Sequence, residues 1–242
     1  MNASSDNIST QFSQMLTDVP TMLFWTILIC VIGFAVCMFG LNNGIERVTK
    51  VMMTALILIM VVLAIRSVTM AGAGEGISFY LIPDFHKMVE SGIGNVVFAA
   101  LSQAFFTLSI GIGAMLIFGS YLDQSRSLTG EAVNIMLLDT FVALTAGFII
   151  IPACFAYGIE PGAGPSLIFI TLPNIFAQMS GGRIWAFLFF LFLTFAALST
   201  IIAVFENLVM FNMELLGWRR KKSVLVLSLI HISEPTRLAL IS

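Results

Sequence analysis

The sequence predicts an all-α membrane protein of five transmembrane helices, one of them discontinuous. Three observations carry this. Of the 242 residues, 59% are hydrophobic and 10% are charged, with a mean hydropathy of +1.02; soluble domains run at roughly 45–50% and about 25%. Five apolar runs, over about 21–40, 50–70, 93–120, 131–157 and 182–213, reach the roughly 20 residues that cross a hydrocarbon core. The third of them packs Ser109, Gly111 and Gly113 together. Glycine costs about 1 kcal/mol in a helix interior, so helical continuity is weakened there.

Taken in chain order, residues 1–20 are polar and have no basic region leading into an apolar run, so they form a water-exposed outer-loop segment. Runs 21–40 and 50–70 are uninterrupted spans. In the third run Gln103 and Thr107 are four apart and share a face with Phe106. A helix broken at mid-membrane frees amides and carbonyls that bind ions or carboxylates when they line a cavity. The alternative is a small-residue packing seam.

The fourth run carries Asp139, with Ala143 and Ala146 on its face. A carboxylate costs about 2.5–3.5 kcal/mol at a span's centre, so it is either an interfacial acid or a cation ligand. A hard ion such as Na⁺ takes oxygen ligands. In the fifth run Ala196, Ser199, Thr200, Ala203, Asn207 and Glu214 form one stripe of small and oxygen-bearing residues. The alternative is helix packing, with the hydroxyls bonded to their own backbone. Glu206 lies off this stripe and faces another cavity or a partner helix. The last three runs exceed one span, so they tilt, bend, break or protrude. Residues 71–92 form a Gly-rich outer loop containing Pro83. Within 158–181, SLIFITLPNIFAQM is too short to span, is split by Pro173, and reads as a re-entrant, cap-like piece.

Eleven Lys and Arg against thirteen Asp and Glu leave a net charge of −2, which excludes a nucleic-acid partner. Cys30, Cys37 and Cys154 sit in apolar runs as packing residues. His86 and His231 are far apart, so no zinc site is expected. Arg47, Lys50, Arg126, Arg219, Arg220, Lys221 and Lys222 fall on one side, and Arg66, Lys87 and Arg183 on the other. The richer side is cytoplasmic, which puts the chain's N-terminus outside. No ring of like charges marks a channel, and no acid, His or Cys pair is spaced for catalysis, so no enzyme is expected.

Three stretches, SQAFFTLSIGIGAMLIFGSY, FITLPNIFAQMSGGRIWAFLFFLFLTFAALSTIIAVFEN and NNGIERVTKVMM, resemble the neurotransmitter:sodium symporter family in its bacterial amino-acid transporter branch. The resemblance covers about residues 21–225. It implies a partial LeuT-type inverted-repeat bundle, the five spans being family helices four to eight, and the third span the unwound sixth helix. LeuT is the type example of a broken-helix transporter, so the break is no independent prediction.

By the same resemblance, Thr107 and Asp139 bind one sodium ion, and the Ala196 carbonyl with Ser199 and Thr200 binds a second. Many members have asparagine where Asp139 stands, and the chloride-ligand position of animal members aligns with Ala143. The implication is that the Asp139 carboxylate supplies the negative charge and chloride is not required. Phe106 is the lid over the substrate. Ser109, Ile112, Thr200 and Val204 line its side pocket, and the unwound backbone around Ser109 and Gly111 holds its amino group. Thr107 belongs to both the substrate and sodium sites. Ile112 replaces a phenylalanine of some members, which widens the pocket toward a neutral hydrophobic amino acid. Tyr121 and Glu214 match cytoplasmic-gate positions.

The resemblance therefore implies sodium-coupled amino-acid symport in the bacterial cytoplasmic membrane, with sodium, substrate and the lipid bilayer as partners. Family helices one to three are missing from the sequence, so the expectation is a fragment inactive alone. The alternatives are a half-bundle that needs a partner chain, or a pseudogene product. SVLVL after Lys222 could begin a ninth helix, but SLIHISEPTRLALIS over 228–242 matches nothing in the family and looks like translated adapter read-through, so residues 226–242 are expected to be a non-native tail; the alternative is a true short tail.

Overall fold

A computed structural model describes residues 5–40, 45–111, 113–159 and 165–241; for residues 5, 6 and 234–241 it describes the backbone only. The chain divides into two compact units, residues 1–63 with 161–242, and residues 64–160. Every regular element among the described residues is helical. Val19–Met38, Glu46–Val68, Leu128–Ala156 and Gly182–Leu216 are long and apolar enough to cross a membrane. The third apolar run instead holds two short helices, Ile93–Thr107 and Ala114–Ser120.

In the first unit, α1 (Ser5–Thr17) leads to α2 (Val19–Met38). Asp18 separates them and caps α2 by accepting from the Thr21 amide at 3.3 Å. Helix α3 (Glu46–Val68) follows, and the unit boundary falls near its end. The second unit holds α4 (Ala73–Leu81), α5 (Phe85–Glu90), α6 (Ile93–Thr107), α7 (Ala114–Ser120) and α8 (Leu128–Ala156). The chain then returns to the first unit with a π-helical turn (Leu167–Thr171), α9 (Leu172–Gln178), α10 (Gly182–Leu216) and α11 (Arg220–Ile241).

The first unit's core lies between α2, α10 and α11. Cys37, Ile202 and Val209 have no exposed surface, and Phe34 stacks on Phe205 with centroids 4.0 Å apart. The His231 ring meets both phenylalanines edge-on at 5.6 Å. At one end of this core Glu206 is wholly buried and accepts from Arg220 Nη2. Arg220 Nε also donates to the Cys37 carbonyl at 2.8 Å, so one guanidinium ties α2, α10 and α11 together. The unassigned polar position Glu206 is thus explained by α11. One of the seven charges counted toward the cytoplasmic side is spent inside the protein.

The piece read as re-entrant forms the π-helical turn followed without a break by α9, with Pro173 at the second position of α9. Phe176 of α9 packs on Phe189 of α10, with centroids 5.4 Å apart. Phe169 of the π-helical turn stacks on Phe12 of α1 at 5.4 Å.

In the second unit the stretch read as a Gly-rich loop contains α4, which lies against α8. The Tyr80 hydroxyl of α4 donates to the Leu144 carbonyl of α8 at 3.3 Å. Burial pushes the Tyr80 phenol up from its ordinary pKa, which keeps it a donor.

Candidate functional site

In the second unit, the α6 helix stops at Thr107 and α7 begins at Ala114. Between them the backbone turns through short bonds: Ser109 N to Phe106 O at 3.1 Å, Ile110 N to Phe105 O at 3.2 Å and Gly113 N to Ile110 O at 3.2 Å. Gly113 sits at φ +70° as the N-cap of α7, which glycine adopts without a Cβ penalty. Ser109 is in the left-handed region too, at φ +52°, the sole such non-glycine among the described residues. A left-handed serine costs roughly 1–2 kcal/mol. The strain therefore begins earlier than the Gly111–Gly113 signal alone predicts.

Thr107, the last residue of α6, faces α8. Its Oγ1 lies 3.2 Å from both Asp139 Oδ1 and Asp139 Oδ2. One hydroxyl proton cannot serve two oxygens at full strength, so three oxygens gather around a single proton. Asp139 is half-buried, and Phe106 beside Thr107 is 81% exposed. Gly111 lies in the exposed part of the turn, and Ile112 falls outside the described residues.

Helix α8 is set at its start by Ser127, whose hydroxyl accepts from the Gly130 amide at 3.4 Å. Arg126 Nη1 donates to Glu131 Oε1 at 2.7 Å. Tyr121 caps α7, its ring 6.4 Å from that of Phe118.

The other predicted residues lie in the first unit, on α10. Ser199 Oγ donates to the Ala196 carbonyl at 2.9 Å, and Thr200 Oγ1 donates to the same carbonyl at 3.0 Å. Three oxygens again meet, and each hydroxyl, having given its proton to Ala196, keeps lone pairs for another acceptor role. Thr200 and Val204 line an apolar groove of about 470 Å³ with Trp25, Ile29, Cys30 and Phe205. Glu214 is exposed near the end of α10.

The geometry has close relatives. A family model for the sodium:neurotransmitter symporter family matches residues 6–241. The chain belongs to that family. It is 37% identical over 205 residues to an uncharacterized sodium-dependent transporter of Haemophilus influenzae, covering 85% of this chain and 44% of that one. It is 32% identical over 221 residues to the sodium-dependent serotonin transporter of Drosophila melanogaster, covering 84% and 35%. Among solved structures it resembles MhsT in complex with L-phenylalanine, with a TM-score of 0.83 and 36% identity, covering 98% of this chain and 53% of that one.

The chain thus spans about half, or less, of the relatives it matches. The predicted fold class, a partial LeuT-type helix bundle with one discontinuous helix, is the one observed. The family is one of sodium-dependent membrane transporters.

Two features escaped the sequence. The Glu206–Arg220 pair joins residues 14 apart across a turn at Gly217, and neither helical period pairs them. Helix α4 was hidden by its glycines, which all read as breakers, although Gly76 serves as a contact point with Pro152.

Proposed function

We propose that the whole protein is a sodium-coupled symporter that imports a neutral hydrophobic amino acid across the bacterial cytoplasmic membrane by alternating access. The observation that carries this reading is the Thr107 hydroxyl standing 3.2 Å from both Asp139 oxygens, on two helices of a sodium-dependent transporter. A hydroxyl and a carboxylate are hard oxygen donors, which a hard cation prefers. Thr107 and Asp139 serve one sodium ion; the Ala196 carbonyl, Ser199 and Thr200 serve a second. Each set offers three oxygens where hard cations take about six. The rest come from parts of the protein beyond these residues and from substrate, so the 242-residue chain alone is inactive.

Phe106 covers the substrate, while Ser109 and Gly111 hold its amino group through unwound backbone, as helix-end amides and carbonyls do in broken-helix transporters. Family resemblance assigns the side-pocket positions to Ile112, Thr200 and Val204. The aliphatic Ile112, and the L-phenylalanine bound by MhsT, support a large apolar side chain. Tyr121 and Glu214 gate the cytoplasmic side, with the N-terminus outside. With Arg220 paired internally, the cytoplasmic excess of Lys and Arg still stands at six to three.

Because Asp139 brings its own negative charge, transport does not require chloride. The test is uptake of labelled phenylalanine into proteoliposomes holding the full-length protein. A sodium gradient drives uptake, choline abolishes it, and gluconate in place of chloride leaves it unchanged. Asp139→Asn keeps the contact with Thr107 but loses the charge; its residual uptake falls at least tenfold, a loss on the scale of about 10–100-fold for weakened ion sites, and becomes chloride-dependent. Uptake in choline, a chloride requirement in the unaltered protein, or tighter competition by glycine than by leucine each overturns the corresponding part.

A further inference from the structure

Helix α8 is weakened twice in its outer half. Gly147 costs about 1 kcal/mol of helix propensity. Pro152 has no amide, so the Phe148 carbonyl loses its helical donor, and the proline ring crowds that same carbonyl. Glycine and proline are where helices kink. The stretch between them is where α8, continuous in this structure, is most able to bend, its hinge.

Helix α4 lies along α8 at this place. Gly76 and Tyr80 are four residues apart and share a face of α4, and Gly72 stands at its start with φ +87°. A Cβ at Gly72 would stand 3.5 Å from the Ala156 Cα, and one at Gly76 would stand 2.8 Å from the Pro152 Cα. At Gly147 the roles reverse: the Tyr80 ring occupies the place a Cβ would need. That ring also meets Phe148 edge-on at 5.4 Å and 83°. Its hydroxyl reaches the Leu144 carbonyl at 3.3 Å. One face of α4 therefore grips α8 on both sides of the hinge, at Ala156 and Pro152 beyond it and at Gly147 and Leu144 before it.

Asp139, Ala143 and Gly147 share a face of α8 by the same period. Eight residues at 1.5 Å put Asp139 about 12 Å along the axis from Gly147. Over that arm a swing of about 10° moves the carboxylate by about 2 Å, enough to separate it from Thr107.

We propose that α4 splints the α8 hinge and that Tyr80 is a positioning residue for the Asp139 carboxylate. The proposal rests on the sodium reading of Thr107 and Asp139. Tyr80 touches no ion. It holds the inner segment of α8 in line, so that Asp139 meets Thr107 without first losing the entropy of a free hinge.

The test titrates sodium against choline into the full-length protein in lipid nanodiscs and follows the Asp139 carboxylate stretching band, identified by its loss in Asp139→Asn. Tyr80→Phe keeps the ring on Gly147 and removes the hydroxyl alone. Its sodium midpoint rises about threefold or more, the scale of one neutral hydrogen bond, while its melting temperature stays within about 3 °C of the parent. Gly147→Ala expels the ring from the other side and raises the midpoint further, by about tenfold. A Tyr80→Phe midpoint equal to the parent's overturns the proposal, whatever happens to the melting temperature, because α4 is then packing alone. A parent band that ignores sodium overturns the sodium reading, and this proposal with it.

Discussion

The two oxygen sets are assembled by opposite means. On α10, Ala196, Ser199 and Thr200 meet within one uninterrupted helix, through bonds spanning three and four residues. Such bonds form wherever a helix carries these side chains. Thr107 and Asp139 are 32 residues apart, and their contact exists only while a broken helix end docks on α8. The surroundings differ in the same sense. Helix α10 buries Phe189, Phe192, Ile202, Phe205, Glu206 and Val209, whereas α6 buries none of its residues. The local set is as rigid as the core beneath it. The docked set is only as rigid as one tertiary contact, which makes it the set that conformational change can open.

The largest expected effect breaks the rigid side of this contrast. Glu206→Ala leaves Arg220 charged, partly buried and unpaired, which costs about 3–5 kcal/mol. Chemical unfolding in detergent, read by exposure of the buried Cys37 thiol, measures it. Replacing both partners, Glu206→Leu with Arg220→Met, recovers most of the loss. Single and double variants of equal stability would mean that the pair does not anchor α10.

Next in size, Thr107→Val raises the sodium midpoint for uptake by the full-length protein about tenfold, since it removes one oxygen and leaves Asp139 without its donor. Ser199→Ala raises it about threefold, because the Ala196 carbonyl and Thr200 stay where the helix puts them. A larger effect at Ser199 than at Thr107 would invert the comparison.

The smallest effect supplies an internal zero. Asp123 accepts from the Ser125 amide at 2.9 Å, and the amide and hydroxyl of Ser125 hold its carboxyl below the usual carboxylate range. A depressed carboxylate pKa contributes stability that is present above the unfolded value of 3.8 and is lost as pH falls through the folded value. Ser125→Ala removes the hydroxyl's share. The Asp123 titration followed by carbon NMR moves up toward 3.8, and neither sodium midpoint changes.

What was legible in the sequence follows the same division. Apolar runs announce helices because lipid demands that the backbone satisfy itself, so the helical class could be read directly, whereas the break near Ser109–Gly113 was one of two alternatives until family resemblance chose between them. Back-bonding of Ser199 and Thr200 was readable as one of two alternatives, since it needs only a helix. The approach of Thr107 to Asp139 was not readable from spacing; it was implied by family resemblance alone. Ser109 gave no local sign of its positive φ, because serine does not favour that region. Helix α4 was misread because Gly76 serves close packing while Gly72, at φ +87°, turns the chain at its start, and glycine's two uses look alike in one dimension.

The corner between α9 and α10 has a consequence for the bilayer. A Cβ on Gly182 would collide with the Phe176 carbonyl, so the two helices meet backbone to backbone. Helix α10 has 35 residues, about 52 Å at 1.5 Å each, against a hydrocarbon core of about 30 Å. It therefore has length to spare when membrane thickness changes, and it can answer mismatch by tilting. Because α9 is joined at a corner without side-chain slack, it travels with that tilt instead of peeling away. Lipid thickness then becomes a mechanical input to α9, delivered through a single glycine.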